Sequence, residues 1–190
     1  MLFTTKDLNK KEEAEHMASH EEKCAKYISE EIETDFRVCI GELKNETSYH
    51  FDTATTWSLH DLIVYIIQQI GPCDFYFSTY AIKEYQARIL SNMKSEGLIK
   101  SMHALLDYRT EVHDAAAVQL MEENTNSIGF MRTHSKLSVL INEKLAVVVT
   151  GSANMTNNTT ADTGVITCVR HIAESRKNWI IKNINEHESK

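Results

Sequence analysis

Two short motifs late in the chain hold the side chains best suited to chemistry: His-x-Lys at 134–136 and Gly-Ser-x-Asn at 151–154. Alternate residues of a β-strand project from the same face, so a strand through the first motif would place the His134 imidazole beside the Lys136 ammonium. An imidazole can act as a nucleophile, and an ammonium group can hold a phosphate. The first motif therefore predicts a nucleophile next to a phosphate clamp.

The second motif follows an apolar strand and supplies neutral donors. We expect the amides of Gly151 and Ser152, the Ser152 hydroxyl and the Asn154 carboxamide to converge on the same sheet edge and donate to anionic oxygens. A histidine, a lysine and several neutral donors, without an acidic metal cluster, suit a metal-free attack on a phosphodiester. We therefore expect no bound metal and no other cofactor.

His-x-Lys followed by Gly-Ser-x-Asn resembles the signature of the phospholipase D superfamily, in its short, single-motif bacterial nuclease branch. The resemblance implies that His134 is the nucleophile and forms a phosphohistidine intermediate. It also implies that Lys136, Ser152 and Asn154 hold the phosphate. In short members of the family an acidic residue soon after the second motif supports the histidine, and Asp162 occupies the similar place here.

One position departs from the family's pattern, which has an aspartate seven residues after the motif histidine. Ile141 stands there instead, and the hairpin between the two motifs is predicted to be longer than in the family, with its turn at 142–144. In the family that aspartate is a supporting residue. Asn142 or Glu143 could replace it only if the turn folds them back toward the site.

The chain holds a single His-x-Lys motif. Hydrolysis through a covalent intermediate needs one group to attack and another to protonate the leaving oxygen, with the roles reversed for water. The family's chemistry uses two histidines for these roles, and a chain with one motif can supply both only when two copies pair about a two-fold axis. We therefore predict a homodimer with the active site at its interface.

Two arginines outside the motifs are candidate substrate-binding residues. Arg109 and Arg132 follow or lie within predicted strands that lead toward the site, where each could help to hold a polyanion, although a surface ion pair explains each equally well. Among the histidines, His60 is predicted on a polar helix face, His103 as a satisfied core residue, and His171 as a further residue near the site.

The elements that must position these residues alternate between helical and strand periodicity. Residues 36–40 alternate as a strand does, and a polar stretch follows at 45–56; Ser58 and Asp61 then predict a helix cap. The predicted helices span 59–70, 82–96, 114–123 and 173–184, and the predicted strands span 73–80, 98–106, 128–133, 136–141, 145–150 and 165–169. This order predicts an α/β fold, a mixed β-sheet sandwiched between helices.

The charge of the chain is unevenly distributed. The 190 residues include 27 acidic and 20 strongly basic ones, a formal net charge of −7, which argues against a protein that binds a phosphate backbone through many cations. Residues 1–35, predicted as a charged helical N-terminal appendage, hold ten acids and five bases. Residues 36–190, the predicted phospholipase D-like domain, therefore carry only −2, and a polyanionic substrate is not excluded.

Composition excludes several other classes. The longest aliphatic run, at 62–67, is too short to span a bilayer and the first residues form no apolar signal, so we expect a cytoplasmic protein without membrane insertion. The four cysteines are widely spread, with no Cys-x-x-Cys pair, which disfavours a zinc site. Neither a Walker loop nor Gly-x-Gly-x-x-Gly occurs.

Three functions remain open at this point. We favour a metal-independent phosphodiesterase, a nuclease acting on nucleic acid, with DNA favoured over RNA. A phospholipid or phosphoester transferase is the second, against which the sequence shows no amphipathic basic helix for docking to a membrane. A catalytically degraded binding or assembly module, which kept the fold and lost the supporting aspartate, is the third.

Overall fold

The computed structural model describes residues 30–53, 56–157 and 161–187. In chain order these residues form α1 (Glu30–Cys39), β1 (Ser48–Asp52), α2 (Leu59–Ile70), β2 (Cys73–Thr79), α3 (Glu84–Ser95), β3 (Ile99–Asp107), α4 (Arg109–His113), α5 (Ala115–Asn124), β4 (Ser127–Met131), β5 (Leu137–Ile141), β6 (Ala146–Gly151), β7 (Thr163–Thr167) and α6 (Arg170–Glu186). The alternation of helices and strands confirms the predicted α/β class.

The strands form one mixed sheet in the order β1-β7-β6-β5-β2-β3-β4. β2, β3 and β4 pair in parallel, whereas the remaining neighbours pair antiparallel. These directions bring the carboxyl ends of β2, β3, β4 and β6 and the amino ends of β5 and β7 to one end of the sheet. We call it the motif end, because both sequence motifs adjoin it.

Helices cover both faces of the sheet, as predicted. On one face α1, α2, α3 and α5 contribute to a large core that includes Phe36 and Leu62, both fully buried. On the opposite face α6 packs Ile180 and Ile184 against residues of β2, β3, β5 and β6. Burial of apolar side chains on both sides explains the nearly continuous apolar sequences of the central strands.

Helix α2 illustrates how local sequence sets an element. Ser58 and Asp61 form the predicted capping box: Asp61 N donates to Ser58 Oγ at 3.3 Å, and Ser58 N donates to Asp61 Oδ2 at 2.8 Å. The helix ends at Ile70, followed by Gly71 with a φ of 77°, a conformation that favours glycine. Both predicted ends of this helix are confirmed.

Residues 36–40 do not form the predicted strand. They lie in and just after α1, where Phe36 and Ile40 are buried and Val38 is 43% exposed. Apolar residues two and four apart fit a strand, but those four apart also share one face of a helix. The Phe36 ring packs against Trp57 and Tyr65, with centroids 4.7 and 5.0 Å away, which favours the helix. The first strand of the sheet is instead β1, which lies inside the stretch at 45–56 that was predicted as polar.

His60 also differs from the prediction of a polar helix face. It is 1% exposed in α2, and its ring centroid lies 6.5 Å from that of Tyr85. Neither ring nitrogen has a hydrogen-bond partner within the part of the chain that the structure describes. Burial lowers the pKa of His60 to about 4, with a smaller opposing effect from Asp61. His60 is therefore a neutral histidine of the protein interior.

The predicted boundary between residues 35 and 36 falls inside α1. Residues 1–29 of the predicted appendage lie outside the described residues. No helix in the described ranges is long and apolar enough to cross a bilayer.

Candidate active site

Both motifs lie at the motif end of the sheet. His134 and Lys136 immediately precede β5, and residues 151–154 form the last residue of β6 and the loop after it. Antiparallel pairing of the two strands sets Leu137 opposite Thr150. The β5–β6 hairpin therefore brings the two motifs side by side.

The His134 imidazole and the Lys136 ammonium are neighbours, with 3.4 Å between His134 Nδ1 and Lys136 Nζ. They lie in the loop before β5 and not on the strand itself. Between them Ser135 points inward, where its hydroxyl hydrogen-bonds with that of Ser78, which is 1% exposed in β2. Because side chains alternate in direction along an extended chain, this contact turns the two flanking side chains outward.

Asp162 lies next to residues of both motifs. Its Oδ1 accepts a hydrogen bond of 2.6 Å from Ser152 Oγ. Burial lowers the pKa of Lys136, and the Asp162 carboxylate acts in the opposite direction. The predicted support of His134 by Asp162 is not a direct hydrogen bond in this structure, because the carboxylate faces Ser152 and His134 Nδ1 faces Lys136.

Ser152 joins β6 to β7. Its backbone N–H, predicted to donate to an anion, donates instead to Thr163 O at 3.0 Å, and its hydroxyl accepts from Thr163 N at 3.1 Å. Gly151 lies opposite Gly164, and a Cβ at Gly151 would come within 2.8 Å of Thr163 O. Glycine at this position is therefore required for close approach of the strands, and the exposed Ser152 hydroxyl is the group left at the surface.

Asn154 lies on a loop that is fixed on both sides of it. Before Asn154, Ser152 is hydrogen-bonded to the backbone of Thr163. After it, the Met155 N–H donates to Thr79 Oγ1 at 3.3 Å. Asn154 Oδ1 is buried and has no hydrogen-bond partner within the described ranges. An amide oxygen only accepts hydrogen bonds, so this free atom could take a donor from a ligand, whereas a phosphate oxygen would have to bind the Nδ2 amide group of Asn154.

Tyr80 is a site residue that the sequence analysis missed. Its ring centroid lies 5.0 Å from that of His134, 4.3 Å from Arg109 Cζ and 5.7 Å from Lys136 Nζ. It directly follows β2, whose aromatic residues Phe75 and Phe77 belong to the core. An aromatic residue at the end of an aromatic strand gives no signal in the sequence that separates it from the core.

Asp107 is the second site residue that was missed. At the end of β3 and 1% exposed, it accepts hydrogen bonds from Arg109 Nε at 2.8 Å and from Thr133 N at 3.0 Å. Burial raises the pKa of Asp107, but hydrogen bonds from Arg109 and Thr133 outweigh burial and lower it to about 2. Arg109 therefore forms the ion pair that the sequence left open, and its half-exposed side chain also lies against the site.

The remaining predicted residues make no recorded side-chain contact with the two motifs within the described ranges. Arg132 is exposed in the loop before His134, and His171 is exposed at the start of α6. His103 Nδ1 lies 2.7 Å from Ser127 Oγ, so its ring is hydrogen-bonded as predicted, but the residue is only partly buried and does not lie in the core. Among the described residues, no group of three or more His, Cys, Asp or Glu side chains could hold a metal ion.

Ile141, which stands where the family has its aspartate, is buried at the far end of β5. At about 3.4 Å per residue, it lies ~14 Å along the strand from Leu137. Asn142 forms the turn, and its Oδ1 accepts from the N–H groups of Lys144 and Leu145. The turn therefore does not fold back toward His134.

Comparison with known proteins finds likeness in structure alone. No family sequence model and no curated protein sequence matches the chain. It is similar to Nuc from Salmonella typhimurium, a phospholipase D family member, with a TM-score of 0.59 and 17% identity, over 75% of this chain and 96% of Nuc. For NucT from Helicobacter pylori the TM-score is 0.59 and the sequence identity is 14%, over 76% of this chain and 99% of NucT. For polyphosphate kinase from Porphyromonas gingivalis the TM-score is 0.55 and the sequence identity is 13%, over 75% of this chain and 26% of the kinase.

Proposed function

Because this chain has the fold of a phospholipase D family member, we propose that it is a metal-independent phosphodiesterase that cleaves nucleic acid, DNA above all. The observation that carries the proposal is the pairing of an exposed imidazole, His134, with the ammonium of Lys136 at the motif end of the sheet. A cation beside the nucleophile attracts a phosphodiester and stabilises the negative charge that develops on its oxygens during attack.

The proposed reaction has two displacements at phosphorus. In the first, His134 Nε2 attacks, a P–N bond forms, and the P–O bond to the leaving oxygen breaks as that oxygen takes a proton from a second histidine. In the second, water attacks phosphorus and gives a proton to the second histidine, and the electrons of the P–N bond return to Nε2. The products are one phosphomonoester end and one hydroxyl end.

Lys136 must change its partner during this reaction. Attack through Nε2 needs a lone pair there, so the neutral ring must carry its proton on Nδ1. In this structure the Lys136 ammonium lies 3.4 Å from Nδ1, where it can donate to a lone pair on that nitrogen, and it also donates to His134 O at 3.2 Å. We assign Lys136 to turn from the ring to the phosphate as substrate binds. The amide group of Asn154 is a neutral donor beside it, and Ser152 becomes a second donor when its hydroxyl turns away from Asp162.

The second histidine comes from a second copy of the chain in this proposal. Among the described residues, the recorded side-chain contacts of the His134 ring are with Tyr80 and Lys136 and with no other histidine of the same copy. A homodimer with two His134 residues at its interface supplies both the nucleophile and the acid. The reaction then depends on two copies and not on one.

The first test is cleavage of plasmid and single-stranded DNA in excess EDTA. Wild type should cleave DNA in EDTA, His134→Asn should lose that cleavage, and His50→Asn is the matched control, because His50 is exposed on the edge strand β1. Cleavage that stops in EDTA would contradict a metal-free reaction. Full cleavage by His134→Asn would contradict the assigned nucleophile.

A second test separates an enzyme from a binding module. A labelled oligonucleotide is mixed with protein and denatured at alkaline pH, where a phosphoramidate bond persists. Label should stay on wild type and on His50→Asn and be absent from His134→Asn. Wild type that binds the oligonucleotide but neither cleaves it nor retains label would identify the chain as a non-catalytic module.

A further inference from the structure

A groove opens beside Lys136 on the α6 face of the sheet. It has a volume of about 300 Å³ and is lined by Ser135, Lys136, Leu137, Thr150, Arg176 and Trp179. Its floor is the end of the β5–β6 ladder, where Leu137 pairs with Thr150, and its wall is α6. The groove therefore continues directly from the lysine of the candidate active site.

The charge of the groove favours an anion. Arg176 is exposed and forms no ion pair with any described residue, whereas its neighbour Lys177 is held by Glu174 at 3.2 Å. With Lys136, Arg176 places two cations along one short groove. An unpaired guanidinium next to a phosphate-binding lysine is suited to a second phosphate group.

The groove also carries an aromatic surface. Trp179 follows Arg176 by three residues on α6, so the two side chains share one face of the helix. The Trp179 side chain is 37% exposed, unlike Trp57, which is 4% exposed in the core. A partly exposed indole beside a guanidinium is the combination that binds an unpaired base together with its phosphate.

We propose that this groove is a subsite for the nucleotide next to the scissile phosphate of a single-stranded nucleic acid. Arg176 binds the neighbouring phosphate and Trp179 stacks on the base. A base in a duplex is covered on both faces by its neighbours, so stacking on Trp179 selects an unpaired strand. The inference rests on the proposed phosphodiesterase function and adds the strandedness of the substrate to it.

A second copy of the chain is the other candidate occupant. Two copies meeting through the α6 wall of this groove about a two-fold axis would bring Arg176 of one copy close to Arg176 of the other, and the described residues that line the groove include no acidic residue to offset them. Like charges at close range oppose such a contact, and a polyanion neutralises them. The charge therefore favours nucleic acid over self-association at this place.

The experiment measures binding in the background of His134→Asn, so that cleavage does not interfere. A labelled oligothymidylate and a duplex of equal length are titrated by fluorescence anisotropy. Trp179→Leu should weaken single-strand binding at least about 5-fold and change duplex binding less than 2-fold. Trp179→Phe, which keeps an aromatic ring, should recover most of the loss.

Charge variants complete the set. Arg176→Gln should weaken single-strand binding and lower the slope of log affinity against log salt by about one. Lys182→Gln is the matched control, since Lys182 is exposed on α6 and does not line the groove. It should leave the preference for single strands unchanged.

The outcomes separate this inference from the function on which it rests. Single-strand binding that Trp179→Leu leaves intact overturns the subsite, even if the parent chain cleaves DNA. Loss of a dimer in Trp179→Leu, measured by sedimentation, assigns the groove to a second copy and also overturns it. If the chain binds single strands through Trp179 but never cleaves them, the subsite is supported and the proposed phosphodiesterase activity is contradicted.

Discussion

The guanidinium of Arg109 lies over the ring of Tyr80, with Cζ 4.3 Å from the ring centroid, and the same ring lies 5.0 Å from that of His134. Asp107 holds Arg109 through two side-chain hydrogen bonds and also accepts from Thr133 N, next to His134. Two series of contacts therefore run from one buried carboxylate to the proposed nucleophile.

Replacing Tyr80 should impair the use of His134 without unfolding the protein. We expect Tyr80→Leu to lower kcat about 10- to 100-fold, because a misplaced nucleophile loses the geometry of attack, with little change in KM. Tyr80→Phe should retain most of the activity, since the ring and not the hydroxyl makes the contacts. The measurement is steady-state cleavage of an oligonucleotide, with Tyr108→Leu, at an exposed site, as control. A Tyr80→Leu protein with wild-type kcat would exclude a positioning role.

Removing the Asp107 carboxylate should destabilise the fold. In Asp107→Ala the Thr133 amide and Arg109 lose their acceptor, which should lower the free energy of unfolding by about 2 kcal/mol. Asp107→Asn keeps an acceptor and should lose less. Urea unfolding measures both. Glu84→Ala, which breaks an exposed pair with Arg88, should cost less than ~1 kcal/mol, and an equal loss in the two alanine variants would contradict the assignment.

Mixing experiments should reveal whether two copies share one site. If each reaction needs His134 from both copies, a heterodimer of wild type and His134→Asn is inactive. After subunit exchange at constant total protein, activity should fall as the square of the wild-type fraction. In the control, mixing wild type with His50→Asn should leave the activity unchanged at every ratio. A linear decline would show that one chain is sufficient.

Acid should lower the free energy of unfolding because the buried His60 takes up a proton less readily in the folded state than in the unfolded chain. Burial lowers its pKa from 6.5 to about 4, so between these values the unfolded chain binds a proton that the folded chain does not. The free energy of unfolding is therefore unaffected by the titration of His60 above pH 6.5. It decreases as the pH falls below that value, by about 3 kcal/mol at pH 4. His60→Phe should flatten urea-unfolding stability over this window, and His50→Phe should not. An unchanged slope in His60→Phe would assign the acid sensitivity to other groups.

Local features of the fold were accessible from the sequence because they depend on residues that are close together in the chain. Ser58 and Asp61 form a cap across a single helical turn, and the predicted helix at 59–70 has the predicted ends. His134 and Lys136 are two residues apart, so their proximity needed little more than an outward turn of the chain. The alternation of such elements was enough to indicate a mixed sheet between helices.

The tertiary structure decided which distant groups meet. Tyr80, Asp107 and Asp162 come from three separate strand ends, and only the order and direction of the strands bring them to His134 and Lys136. Their residue types alone do not distinguish them from core or surface residues, as the buried His60 also illustrates. The physical reason is that strand pairing and packing depend on contacts between residues far apart in sequence, whereas caps and motifs depend on near neighbours.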